Sequence, residues 1–197
     1  MKKFLALGAL LAAVALFAGP TAALDDNRFG LYYDQAATID EIDITANSQQ
    51  VLYLVLINPV SDFGNVRLVG GFECLIVPAS GDYLLGVTFP LEALNLNGRP
   101  DDLVVGYSQG LQVDSNGTTL ATVSVLTLGN NPEGYHLQPA TGASIPNSLV
   151  YLDMGGSEAI LVDALPVSGS FEVPVFTFGD YSIEEDRKWG DVKSLYR

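Results

Sequence analysis

Histidine, cysteine and tryptophan occur once each in the 197 residues, and lysine and arginine together only nine times. Each scarcity excludes something. The single cysteine, Cys74, leaves no intramolecular disulfide, so an exported chain of this size rests on its core, on bound ions or on partners. One histidine and one cysteine cannot furnish the ligand set of a tight zinc site. Nine basic residues against 23 acidic ones give a net charge of −14, a surface that repels nucleic acid and anionic lipid. No apolar run reaches the ~20 residues that a membrane-spanning helix needs. No amphipathic helix of any length is legible before residue 180.

What is present begins with an export pattern. Lys2-Lys3 precede the apolar stretch Phe4–Ala18, Gly19-Pro20 breaks it, and Thr21-Ala22-Ala23 offers small residues for cleavage. That order is the n-region, h-region and cleavage site of a secretory signal peptide over 1–23. No cysteine lies near the site for a lipid anchor. Losing Lys2 and Lys3 takes the net charge to −16, which suits a secreted, periplasmic or cell-surface protein. The remaining 174 residues fit one domain with a proper core.

The densest stretch is Val51–Ile57, seven apolar or aromatic residues closed by Asn58-Pro59. Its length and its β-branched and aromatic content predict a central strand. Because it is apolar at both parities, a second face also needs cover, from a loop, the N-terminal segment or a partner. Around it, short runs at Phe29–Asp34, Val66–Val77, Tyr83–Phe89, Leu103–Ser108, Leu120–Leu128, Tyr135–Gln138, Leu149–Met154, Ala159–Leu165 and Phe171–Phe178 are separated by Gly, Pro, Asn and Ser clusters. Asp40–Thr45 alternates acidic and apolar residues, as an edge strand or a loop would. Gly70-Gly71 predicts a bulge or bend. Leu91–Leu96 predicts one helical turn, and Asp114-Ser-Asn-Gly117 a hairpin. The expectation is an all-β antiparallel sandwich of jelly-roll type, about nine to ten strands over 24–180.

The tail, 181–197, is different. Arg187, Lys188, Lys193 and Arg197 are four of the seven basic residues left after cleavage, and the only tryptophan is among them. Trp189, Val192, Leu195 and Tyr196 fall on one helical stripe. Two roles fit: a short helix docked on its own acidic domain, or a detachable peptide bound by a sorting or anchoring factor.

The motifs that carry chemistry are few. Gly106-Tyr107-Ser108-Gln109-Gly110 fits the Gly-x-Ser-x-Gly nucleophile elbow and resembles the cutinase version. An elbow must feed a helix, however, and here the chain runs into Asn116-Gly117. The acid and base that would follow Ser108 reduce to Asp114 and His136. The expectation is therefore a glycine-flanked strand end and no catalytic residue. Cys74 reads as a small buried strand residue. Carboxylate-rich loops such as Asp101-Asp102 leave room for a weakly held calcium ion, and no other cofactor is indicated; Asp40–Thr45 lacks the EF-hand spacing. Asn116-Gly-Thr118 matches a glycosylation acceptor. Tyr32, Tyr33, Tyr53, Tyr83 and Tyr107, all in predicted strands, include the candidates for stacking on a sugar.

Gly71-Phe-Glu-Cys-Leu-Ile-Val, Tyr83-Leu-Leu-Gly-Val and Leu120-Ala-Thr-Val-Ser-Val-Leu together resemble the strand pair and late strand of cohesin-like, carbohydrate-binding-module-like β-sandwich modules. Val77-Pro78 stands where those modules carry Tyr-Asp-Pro. The resemblance implies a nine-stranded jelly roll, and no partner-binding residue is carried over. The functional expectation is a non-enzymatic secreted module, structural or binding, of a bacterial envelope or extracellular assembly. Recognition of carbohydrate or of a dockerin-type partner is the alternative, and serine hydrolysis through Ser108 the remote one.

Overall fold

Alternating apolar residues build this chain into strands. A computed structural model describes residues 26–43, 47–114, 117–128 and 134–179. They form β1 (Arg28–Tyr32), β2 (Glu41–Ile42), β3 (Ser48–Ile57), β4 (Val60–Ser61), β5 (Gly64–Asn65), β6 (Leu68–Val77), β7 (Tyr83–Thr88), β8 (Ala93–Asn95), β9 (Asp102–Gln112), β10 (Thr118–Thr127), β11 (His136–Gln138), β12 (Leu149–Asp153), β13 (Ile160–Pro166) and β14 (Thr177–Phe178). Among the described residues there is no helix, and so none long and apolar enough to cross a membrane. The helix expected over 181–197, with Trp189, Val192, Leu195 and Tyr196, lies outside the described residues, as does the leader.

Nine strands form one sheet in the order β7-β10-β3-β1-β13-β12-β6-β9-β8, with β11 beside β6. The sheet curls so that strands near its two ends face each other across the core. β9 and β10 stand next to its opposite ends, yet the Tyr107 hydroxyl on β9 donates to the Leu120 carbonyl on β10 at 2.6 Å. Between them lies one core, with Leu52, Leu54, Phe72, Cys74, Leu103, Val123 and Tyr151 all buried. Phe72 meets Phe29 edge-on at a centroid distance of 6.4 Å, joining β6 to β1 across the curl. Cys74 faces this core as expected, and burial pushes its thiol pKa far up, with Asp102 adding to the shift.

The expectation of an antiparallel sheet is corrected: the sheet is mixed. β1 runs parallel to β13, with Arg28 opposite Leu165 and Phe29 opposite Pro166, and in a separate two-stranded sheet β14 runs parallel to β2. Period-2 patterning tells which face a residue takes and carries no strand direction. At the β1–β13 seam the amides of Leu165 and Val167 donate to Asn27 and Phe29, stepping over Pro166, which has no N–H to give.

Three local expectations also change. Leu91–Leu96 contains a strand rather than a helical turn. Ala93, Leu94 and Asn95 pair with Tyr107, Gly106 and Val105, and the Asn95 side chain accepts from the Val104 amide while donating to the Arg99 carbonyl. That ladder outweighs the helix propensity of Leu-Glu-Ala-Leu. The chain does turn at 114–117, where the Gly117 amide donates to Asp114 and φ is 120°. It makes no hairpin, because β9 pairs with β6 and β8 while β10 pairs with β3 and β7. Over Phe171–Phe178 only Thr177–Phe178 is strand, Pro174 interrupting the rest.

Other expectations hold. β3 is interior, between β10 and β1. Its second face, Val55 and Ile57, is covered by Ala37 from the turn after β1 and by Val167. Gly70 is the extra residue in the pairing of β6 with β12, the insertion against β9 lies on β9 itself, and Val69 beside it is buried in the core.

Candidate binding groove

The unusual surface lies on the outer side of the β8-β9-β6-β12-β13 half. Register places Leu94 opposite Gly106, Gly106 opposite Gly71, Gly71 opposite Leu152, and Leu152 opposite Leu161. Directly paired residues share a face, so two glycines lie side by side at the middle of an apolar row. The result is a furrow of about 180 Å³ whose floor carries no side chain at Gly70, Gly71 and Gly106 and is otherwise lined by residues such as Val104, Val150 and Leu152. Leu96 (69 % exposed) and Leu161 (48 %) line it, and Leu94 (64 %) stands beside Leu96 over the adjoining hollow. A neighbouring hollow lies over Glu92, Leu94, Gly106 and Ser108.

The two floor glycines are there for different reasons. A Cβ on Gly71 would stand 2.2 Å from the Val105 carbonyl oxygen, so β6 and β9 approach too closely for any side chain. A Cβ on Gly106 would meet nothing within 4 Å, and its φ lies outside the left-handed region. A glycine inside a strand costs about 0.5–1 kcal/mol relative to alanine, and one without a steric reason marks a bulge or a place where a ligand or another chain comes close. The bulge at Gly70 lies one residue along β6 from Gly71, the partner of Gly106.

The 139–145 loop is tied to strands that carry the groove. The Ser144 amide and hydroxyl donate to Glu73 on β6, and the Thr141 amide donates to the Asp102 carboxylate at 3.0 Å. Burial of Asp102 opposes its charge, but hydrogen bonds from Thr141 and Asn97 and the nearby Arg99 guanidinium outweigh burial and lower its pKa. Met154 folds against Gly70, where a Cβ would meet its sulfur. The acidic rim comprises Glu92 beside Leu94, and Glu73 and Asp163, which both face Val150 one row along from Leu152.

No protein-family model, no curated protein and no solved structure matches the chain. The site is therefore read from its own geometry.

The residues singled out from sequence are not brought together. Gly106 to Gly110 lie inside β9, at an irregularity where four residues, Tyr107 to Gly110, stand opposite Gly70 alone. There is no strand-to-helix elbow, and the motif does not end the strand. Ser108 is exposed and its amide donates to the Glu92 carbonyl. His136 pairs with Val77 at the far end of β6, roughly 20 Å away along the strand at ~3.3 Å per residue. Asp114 lies beyond the opposite end of β9. Asp101 pairs with Arg99 at 2.5 Å while Asp102 turns inward to Thr141, so the two neighbours do not act as one carboxylate pair. Of the tyrosines, Tyr32 and Tyr107 are buried, Tyr53 is half-buried, and Tyr83 and Tyr33 are exposed. Thr118 of the glycosylation pattern is buried and accepts from the Asp114 amide; Asn116 lies outside the described residues.

Sequence reasoning missed the groove. One signal was available: Leu149-Val-Tyr-Leu is apolar at both parities, as Val51–Ile57 is, and so needs a second cover. Leu94 and Leu96 were hidden by being read as helical.

Proposed function

We propose that the chain is an exported, non-enzymatic β-sandwich module of the bacterial envelope or extracellular space, its curled sheet acting as two stacked layers that carry a binding groove. The observation that carries this reading is the row Leu94-Gly106-Gly71-Leu152-Leu161. It leaves apolar side chains in water around two glycines that carry none, and exposed apolar concavities of that kind mark interaction sites. The groove suits an extended or amphipathic segment of a partner protein, with cationic flanks to meet Glu92, Glu73 and Asp163. A second reading, carbohydrate recognition, is favoured by Tyr83 (59 % exposed) on the edge strand β7. The resemblance to cohesin-like modules is compatible with either.

Peptide and glycan arrays probed with the mature chain separate these readings. Binding of apolar, basic peptides that is lost in Leu94→Asp/Leu161→Asp supports the groove. Glycan binding lost in Tyr83→Ala supports the second reading. Fluorophosphonate labelling that disappears in Ser108→Ala would overturn both in favour of hydrolysis.

A further inference from the structure

Resting on that groove reading, we infer that its occupant is the chain's own C-terminal segment, Arg187–Arg197, bound in cis. Three observations converge.

The first is charge. Across all the described residues the only cations are Arg28, Arg67 and Arg99. The other four basic residues of the mature chain, Arg187, Lys188, Lys193 and Arg197, all lie in the last eleven. The groove has an acidic rim, and none of the three described arginines is among its lining residues. The counter-charge it calls for is concentrated in one segment of the same polypeptide.

The second is shape and polarity. The segment interleaves its cations with Trp189, Val192, Leu195 and Tyr196, large apolar groups that fit a furrow a few side chains in volume. Gly106, where a side chain would meet nothing, keeps the floor open for such a group. The exposed Leu96 and Leu161 line the furrow.

The third is reach. The described chain ends at Gly179, just past β14. Phe176 bridges Tyr135, which precedes β11, and β11 in turn pairs with the Val77 end of β6. From Val77 to Gly71 is six residues of strand, about 20 Å. Two strand spacings separate Phe176 from β6, about 10 Å more, and the 18 residues after Gly179 span up to about 60 Å when extended, so the apolar residues of the tail are within reach of the groove of their own molecule.

Trp189 is the only tryptophan, so indole fluorescence of the full mature chain reports the tail alone. Expected are emission shifted to the blue of a free 184–197 peptide and several-fold weaker acrylamide quenching, both independent of protein concentration, with a monomer in sedimentation. Gly106→Leu, which fills the floor from a position with open space above it, returns emission and quenching to the values of the free peptide at unchanged circular dichroism. Leu161→Gln, a second variant, does so in part.

Exposed Trp189 in the unmutated chain, or shielding that neither variant changes, overturns the inference. Shielding that appears only with dimerisation overturns the cis assignment. A competition experiment separates this failure from failure of the groove itself. If the tail competes, full-length Trp189→Ala/Tyr196→Ala binds apolar basic peptides several-fold more tightly than the unmutated chain. Equal binding by both keeps the groove and removes the tail from it. Binding by neither removes the groove.

Discussion

Replacing Tyr107 by phenylalanine tests how the sheet is held curled. Leu120 is the extra residue in the β10–β3 pairing: Thr119 faces Val55 and Ala121 faces Leu54, with nothing opposite Leu120. Its carbonyl leaves the ladder and points into the core, where the Tyr107 hydroxyl meets it at 2.6 Å. Tyr107 comes from the strand at the other end of the curl, and its ring lies 6.2 Å from that of Phe72. Phenylalanine keeps that ring and its packing and removes only the donor. A buried carbonyl stripped of its partner costs about 1–3 kcal/mol. For a domain of this size each kcal/mol moves the melting temperature by about 2–4 °C. A loss of about 2 kcal/mol therefore lowers Tm by roughly 4–8 °C at pH 7, read by thermal circular dichroism or calorimetry. Tyr33→Phe, at an exposed ring, is the control and is expected to change Tm by less than about 1 °C. If Tyr107→Phe melts with the control, the bulge carbonyl has another partner and the cross-sheet bond does not hold the curl.

Two further predictions concern the glycines and alkaline pH. Gly71→Ala forces β6 and β9 apart at the Val105 carbonyl and is expected to cost about 3 kcal/mol by overpacking. Gly106→Ala is expected to be neutral or to stabilise by up to about 1 kcal/mol, and equal melting of the two variants would refute the distinction. Burial, with Asp40 and Asp34 adding, pushes the Tyr32 pKa up to about 12 from 10. The unfolded chain thus loses that proton first, and the contribution is complete below pH 10 and is lost as pH rises through 12. Burial pushes the Tyr107 and Tyr151 hydroxyls up as well, with the same sign. Phenolate absorbance from these three is expected to appear only together with loss of the β-sheet signal. Ionisation of all nine tyrosines near pH 10 with the fold intact would refute it.

Much of the site's machinery was beyond a linear reading for definable reasons. Gly71 and Gly106 are 35 positions apart, and each alone reads as an ordinary strand glycine. Only pairing makes them one floor. Leu94 and Leu96 carry helix-forming neighbours, and a three-residue strand has too little period to outvote them. The Gly-x-Ser-x-Gly match is the converse case. Five residues fit a catalytic pattern, while the strand around them and the distance to His136 supply none of its geometry.

The sequence by itself determined the class and the face assignments. Two-residue alternation put Phe72 and Cys74 on one face, the unbroken apolar run put Val51–Ile57 at the interior of the sheet, and the glycine pair marked the irregularity at Gly70-Gly71. Side-chain polarity is a local property, and a strand's two faces can be read from it without knowing the neighbours. Only the tertiary structure decided who those neighbours are. It turned the expected hairpin at Asp114–Gly117 into a crossing between halves, made the β1–β13 seam parallel and laid the groove open. Each depends on backbone hydrogen bonds between segments far apart in the chain, and backbone amides are the same whatever side chains they carry.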